Sequence, residues 1–256
     1  MPSQPTLTQH IRTLIAAAVA DAVAGAGTHT RYRAPRLAFA RADDPGFDDL
    51  PRHVPGHLHP RDLLPDARAV CAFFLPYDTE IMLANRPGKR SDPWASETWA
   101  RAYVETNALL AEICVRLADS LANQGLRAVW EPPTHHFDPV RLVSAWSHKS
   151  VAAVAGLGHF GHHQMLITQA GCAGRLCSVV LDADPPLLPG DVLRKNPCQY
   201  DRGCRVCVRR CPVGALTEEG LDRRRCYARC LENDARFPKW LADVCGKCAT
   251  GPCAAL

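Results

Sequence analysis

The stretch Cys204-Arg205-Val206-Cys207-Val208-Arg209-Arg210-Cys211-Pro212 decides how the chain is read. Its C-x2-C-x3-C-P spacing suits iron–sulfur ligation: closely spaced thiolates grip one face of a cubane, and the cysteine before the proline points across to a second one. Working outward, Cys198 precedes the run, and Cys226, Cys230, Cys245, Cys248 and Cys253 follow it. Nine of the chain's 13 cysteines therefore lie within residues 198–253. Thirteen cysteines in 256 residues is sparser than a small secreted disulfide scaffold, and the clustering marks the tail as a site and the rest as its host.

Two four-iron clusters need eight thiolates, and nine are present. The partition expected from bacterial ferredoxin spacing places Cys198, Cys204, Cys207 and Cys253 on one [4Fe–4S] cluster and Cys211, Cys226, Cys245 and Cys248 on the other, with Cys230 left over. Two points stay open. Cys198 lies three residues further upstream than the usual spacing, and Cys230 competes with Cys226. Zinc could use Cys245-x2-Cys248, but it does not explain the Cys211-Pro212 step followed by Val213-Gly214-Ala215-Leu216. Disulfides are disfavoured in the reducing compartment expected below.

The chain is 47% hydrophobic and 22% charged, enough for a buried core and against intrinsic disorder. The short apolar run at residues 14–20 is interrupted by Asp21 and leads to no cleavage site. No stretch approaches the roughly 20 apolar residues of a membrane span, so a cytoplasmic, membrane-free protein is expected. The net charge of +4 hides a split: residues 194–256 hold 13 Lys and Arg against 7 Asp and Glu, or +6, and residues 1–193 carry −2. These cations offset thiolate-bound clusters, and they leave open docking of an acidic electron donor of flavodoxin or ferredoxin type. No aromatic interleaving of the kind that stacks single-stranded RNA accompanies them.

Hydrophobic periodicity predicts a first helix over residues 5–24 and a loop-rich stretch over 33–65 containing His53, His57 and His59. It then predicts a buried strand over 67–75 and a long helix over 94–124, capped near Ser91-Asp92-Pro93. A strand at 126–130 follows, then a helix around 140–155 broken near Ser147. Strands at 165–168 and 175–181 read as a hairpin around Gly171. A proline-rich linker at 184–190 sets the expected boundary between an irregular mixed α+β host, residues 1–190, and a small two-cluster domain, residues 191–256.

Gly156-Leu157-Gly158-His159-Phe160-Gly161 matches the dinucleotide G-x-G-x-x-G, but these glycines follow a helix and lead toward a strand, the reverse of the Rossmann turn. They are read instead as permitting a tight turn or close approach to a bulky ligand. The sets His53-x3-His57-x-His59, His135-His136 and His159-x2-His162-His163 lie in loops without helically spaced carboxylates and are read as solvated or supporting groups. Cys71 and Cys114 read as buried apolar thiols, and Cys172 and Cys177 as packed ones.

The order of these features, Val154-Ala155-Gly156-Leu157-Gly158-His159-Phe160-Gly161, then Met165-Leu166-Ile167-Thr168, a linker and the double-cubane tail, resembles the epoxyqueuosine reductase family, relatives of the reductive dehalogenases. The resemblance covers roughly residues 65–256. It implies a nitroreductase-like α+β host, a ferredoxin-like domain with two [4Fe–4S] clusters, and a cobalamin that removes oxygen or halide reductively. By position it implies that Gly156, Leu157, Gly158 and Gly161 line the corrinoid loop. Two departures stand out. The family's Asp-Tyr-His run, whose Asp donates the proton, aligns with Ala102-Tyr103-Val104, and the C-terminal helical-repeat domain that helps to hold tRNA has no counterpart before Leu256. These departures weigh against tRNA and leave the catalytic acid unassigned among Tyr103, Glu105 and the loop histidines. The expected function is an iron–sulfur, corrinoid-linked reductase of an unidentified acceptor; the alternative is an electron-transfer protein without corrinoid.

Overall fold

The apolar run expected at residues 67–75 forms the centre of the sheet. In the computed structural model, which describes residues 6–25, 27–86, 93–133, 136–186 and 190–256, it is an eight-residue strand buried along its whole length. In chain order the elements are α1 (Leu7–Ala24), β1 (Arg36–Arg41), α2 (Pro45–His53), α3 (Pro60–Leu63), β2 (Ala69–Pro76), α4 (Thr79–Ala84), α5 (Glu97–Ala122), β3 (Ala128–Val129), β4 (Phe137–Asp138), β5 (Val143–Ser144), α6 (His148–Val154), β6 (Gly158–Phe160), β7 (Leu166–Thr168), β8 (Gly174–Leu181), α7 (Val206–Arg210) and α8 (Arg223–Arg236). The fold is mixed α+β. A four-stranded sheet of order β1-β2-β8-β3 is antiparallel throughout, and Cys71 pairs with Val179 and Phe73 with Cys177.

Strand side chains alternate between faces, so β2 serves two cores at once. Cys71, Phe73 and Leu75 face Ile11 and Ile15 of α1 and Leu110, Ile113 and Leu117 of α5. Val70, Ala72 and Phe74 face Phe47 of α2, Val151 and Ala152 of α6, and Trp146. Burial on both sides explains why β2 reads as a continuous apolar run rather than an alternating one. Local sequence sets the helix starts. Thr6 and Gln9 form a reciprocal capping box on α1, and the Ser96 hydroxyl accepts the Trp99 N–H at 3.2 Å on α5. The cap expected at Ser91-Asp92 lies outside the described residues.

Three expectations are corrected. The helix expected over 140–155 with a break near Ser147 begins only at that break: extended Ser147 caps α6, and the residues before it form the small β4–β5 pair. Strands β7 and β8 are not a hairpin with one another. β7 pairs with β6, while β8 enters the main sheet between β2 and β3. The loop-rich stretch contains β1, α2 and α3, and the apolar piece Leu37-Ala38-Phe39-Ala40 is an edge strand of the sheet. Cys71, Cys114 and Cys177 are fully buried, and the last two sulfurs lie 3.5 Å apart.

A third apolar cluster joins the cysteine-rich tail to the host through Tyr77, Trp99, Ile167, Cys172, Ala249 and Ala254. Backbone bonds reinforce it: Cys172 N–H donates to Cys253 O and Ala173 N–H to Ala254 O, both at 3.0 Å. Gly171, at φ +86°, is required there because a Cβ would overlap the Ala254 carbonyl. No helix among the described residues is long and apolar enough to cross a membrane.

Phe73→Ala should remove about 3–5 kcal/mol of stability by opening a cavity at the sheet centre, measurable by denaturant unfolding. A pH effect is also expected from His148, whose Nδ1 lies 2.8 Å from Ser178 Oγ. Burial, followed by the charge of Arg175, lowers its pKa to about 4 from 6.5. The unfolded chain takes up this proton first, so its contribution to stability is complete above about pH 6.5 and is lost as pH falls toward 4. Unfolding curves for the wild type and His148→Gln between pH 7 and 4 should converge on the acid side.

Candidate functional site

The tail is short of regular structure. Its thiols are placed by α7, α8, a 3-10 turn at Lys247–Thr250 and the backbone seam to Cys172 and Ala173. Cys198, Cys204, Cys207 and Cys253 line one cavity of about 260 Å³, together with His162, His163 and Tyr200. Cys211, Cys226, Cys230, Cys245 and Cys248 line a second, of about 420 Å³, with Cys172, Tyr103 and Lys149 also on its wall. The nine tail cysteines thus divide four and five. Cys204 and Cys207 stand on one side of the division and Cys211, seven residues after Cys204, on the other, so the chain crosses between the cavities within α7 and the turn that follows.

The thiols occupy polar surroundings. Cys211 Sγ accepts the backbone N–H groups of Ala215 and Leu216 at 3.2 and 3.3 Å. Cys226 and Cys230 lie one turn apart on α8 and interact directly: the Cys230 thiol, helped by the charge of Lys149, lowers the Cys226 pKa to about 7 against the opposing effect of burial, while Cys230 is raised. The ninth cysteine therefore faces the same cavity as Cys226. Cys253 is lowered to about 5, first by the Cys172 thiol and then by His163, whose Nε2 lies 3.3 Å from its sulfur. Burial drives Cys248 well above the ordinary thiol range.

Beside the second cavity lies a larger cleft of about 940 Å³, and Phe137, Lys149, Gln164 and Leu221 border both spaces. Lys149 and Arg223 supply the cleft with two cations, and among the described residues its lining contains no carboxylate. Lys149 Nζ donates to Gln164 O at 3.1 Å, and burial lowers its pKa.

Sequence reasoning left the acid unassigned, and the geometry separates its candidates. Tyr103 lines the second cavity, donates its hydroxyl to Asp243 Oδ1 at 2.7 Å and packs its ring 4.3 Å from the Arg175 guanidinium. Burial raises its pKa to about 12, so the phenol stays protonated. Glu105 points elsewhere. Its Oε2 accepts bonds from Thr28, His29 and Thr30, and these outweigh burial and lower its pKa. Asp243, Arg175 and Lys149 were missed because nothing in their local sequence marks them; only folding brings Asp243 and Arg175 to Tyr103 and Lys149 to the same cavity.

The glycine segment makes its close approach to the protein itself. A Cβ on Gly158 would lie 2.9 Å from the carbonyl carbon of Ile167, one on Gly161 would lie 2.8 Å from the His163 ring, and Gly156, at φ +71°, rests on Val192. Leu157 is fully buried. Of this segment's residues, Phe160 borders the cleft. Among the histidines, His57 accepts the Ser147 N–H and bonds Leu58 O, His59 caps α3, and His159 bonds Leu193 O. His162 stacks on Tyr200 at 3.6 Å, His136 pairs with Glu131, and His135 lies outside the described residues.

No protein-family model matches the chain. In sequence it is similar to an epoxyqueuosine reductase of Bacillus cereus, at 23% identity over 205 residues that cover 78% of this chain and 49% of that protein. It is also similar to an epoxyqueuosine reductase of Aliivibrio fischeri, at 27% over 149 residues that cover 57% and 38%. The chain thus matches half or less of the length of these curated relatives. Among solved structures, an epoxyqueuosine reductase with a tRNA-Tyr epoxyqueuosine-modified tRNA stem loop aligns at a TM-score of 0.57 and 19% identity, covering 94% of this chain and 65% of that one. In sequence and in fold, the chain is epoxyqueuosine reductase-like.

Proposed function

We propose that the chain is an iron–sulfur oxidoreductase with two [4Fe–4S] clusters, passing single electrons toward a corrinoid held in the adjoining cleft. The observation that carries this reading is the division of the nine tail cysteines between two cavities, the second of which borders the 940 Å³ cleft. Cys198, Cys204, Cys207 and Cys253 would hold one cluster, and Cys211, Cys226, Cys245 and Cys248 the other. Both sets are all-thiolate, the donor type that holds cubanes, and each lines a single cavity. A tetrahedral zinc with Zn–S bonds of about 2.3 Å draws its four sulfurs to within about 4 Å of one another. Among the described residues, the ligating atoms gathered within 4.8 Å are those of His163, Cys172 and Cys253, not a four-thiol set.

When bound, the clusters supply single electrons and the corrinoid a strongly reducing centre. The chain's own residues do the rest. Lys149 and Arg223 make the cleft suited to a phosphate-bearing ligand. Tyr103 holds a proton at its hydroxyl, donated to Asp243, on the wall of the second cavity. Gly156, Leu157, Gly158 and Gly161 shape the β6 hairpin that presents Phe160 and Gln164 to the cleft, the part of the corrinoid loop assigned to them. Residues 1–190 form the nitroreductase-like host and residues 191–256 the ferredoxin-like module, fed by a flavodoxin- or ferredoxin-type donor.

For the acceptor, a tRNA is a candidate despite the departures at Ala102 and Val104. A relative sharing the fold has been solved with a tRNA stem loop, and the cations Lys149 and Arg223 suit the cleft to nucleic-acid phosphates.

Anaerobic visible and EPR spectra with and without added cob(II)alamin test the reading. Two cubane signals and an altered cobalt signal are expected. Clusters with an unchanged cobalt signal would replace it with the electron-transfer function. Cys207→Ala and Cys248→Ala should each lose about half of the bound iron and Cys230→Ala none, read as iron per chain. Unchanged iron in the first two variants would sink the ligand assignment.

A further inference from the structure

His163 stands on the wall of both cysteine cavities, at the tip of the hairpin joining β6 to β7, and is almost fully buried. The hairpin fixes which ring nitrogen carries the proton. Met165 N–H donates to Nδ1 at 3.1 Å, so Nδ1 is the acceptor and the neutral ring bears its hydrogen on Nε2. That Nε2 lies 3.3 Å from Cys253 Sγ and 3.6 Å from Cys172 Sγ. The ring is also held from behind. Gly161 leaves the space it occupies, since a Cβ there would lie 2.8 Å from His163 Cε1, and Gly161 N–H closes the turn onto Met165 O at 3.0 Å.

The direction of the effect follows from charge. Reduction of a thiolate-held cluster adds negative charge that spreads onto its sulfurs, and a donor aimed at one of them stabilises the reduced state more than the oxidised one. A buried donor acts with little screening by water. We infer that His163 is a potential-setting residue: its Nε2–H bond to Cys253 raises the reduction potential of the cluster in the 260 Å³ cavity relative to the same cluster without that donor. The inference rests on the iron–sulfur reading above and deepens it. It also gives Gly161 a second task, seating the imidazole.

The test is an EPR-monitored redox titration of the full chain carrying both clusters, with iron and sulfide counted in each sample. His163→Phe keeps a ring and removes the donor. It should hold iron equal to wild type and shift one of the two midpoint potentials negative by at least a tenfold change in the reduction equilibrium, about 59 mV for one electron. His163→Gln, which keeps an N–H donor, should recover most of that shift, and Gly161→Ala, which displaces the ring, should move the same potential in the same direction as Phe. Potentials unmoved in His163→Phe would overturn the inference. So would equal shifts in the Phe and Gln variants, which would assign the effect to packing, or loss of half of the iron, which would make His163 a ligand. A wild-type chain that takes up zinc but no cubane would overturn the cluster reading and this inference with it.

Discussion

The backbone seam between Cys172-Ala173 and Cys253-Ala254 is the constraint on which the rest of the structure depends. It returns the end of the cysteine-rich segment to the host, so that Cys253 faces Cys198, Cys204 and Cys207 across the full length of the tail. Without it, a segment whose buried apolar residues are Leu216 and four alanines would have little to order it, because thiols and arginines do not build a core. The seam is stabilised by the apolar cluster around Tyr77 and Trp99 and by glycines at the points of closest approach. At Gly246, φ +68°, a side chain would enter the Trp99 ring.

Electrostatics then distinguish the two cavities. The first is lined by His162 stacked on Tyr200, whose ring also meets the Arg205 guanidinium at 3.8 Å, and receives the buried imidazole of His163. The second takes backbone donors at Cys211 and the ammonium of Lys149 near Cys226. Hydrogen bonds and charge at the sulfurs are among the levers that set cluster potentials, so the two clusters proposed for these cavities would have unlike surroundings. The arginine excess of the tail serves a local purpose as well. Arg205 pairs with Glu218 at 3.0 Å, and Arg210 bonds the carbonyl of Thr250 and so ties α7 to the turn that carries Cys248.

The second cavity also draws on the host. Tyr103 comes from α5, Arg175 from β8, Lys149 from α6 and Asp243 from the tail. These residues are 26 or more positions apart in sequence, and their meeting depends on β8 entering the sheet beside β2 while α6 covers its other face. The corrected pairing of β7 and β8 therefore matters for chemistry. A β7–β8 hairpin would have left β7 without β6, whereas the observed β6–β7 hairpin carries His163 at its tip and Phe160 and Gln164 at the cleft.

Much was legible in the sequence where the determinants are local. The double-sided strand β2 follows from its uninterrupted apolar run, α1 and α5 from their periodicity and caps, and the separation of Cys211 from Cys204 and Cys207 from the spacing before Pro212. The early strand β1 lies in a proline-rich stretch, and the residues before Ser147 pair as β4–β5 instead of extending α6. What the sequence alone determined is the chemistry of the donors, since nine clustered thiols are a property of composition and spacing. What only the tertiary structure decided is which groups face those thiols. Tyr103 with Asp243, Lys149 between cleft and cavity, and His163 against Cys253 are long-range meetings, set by strand pairing and by a chain end folded back onto its host rather than by any neighbour in sequence.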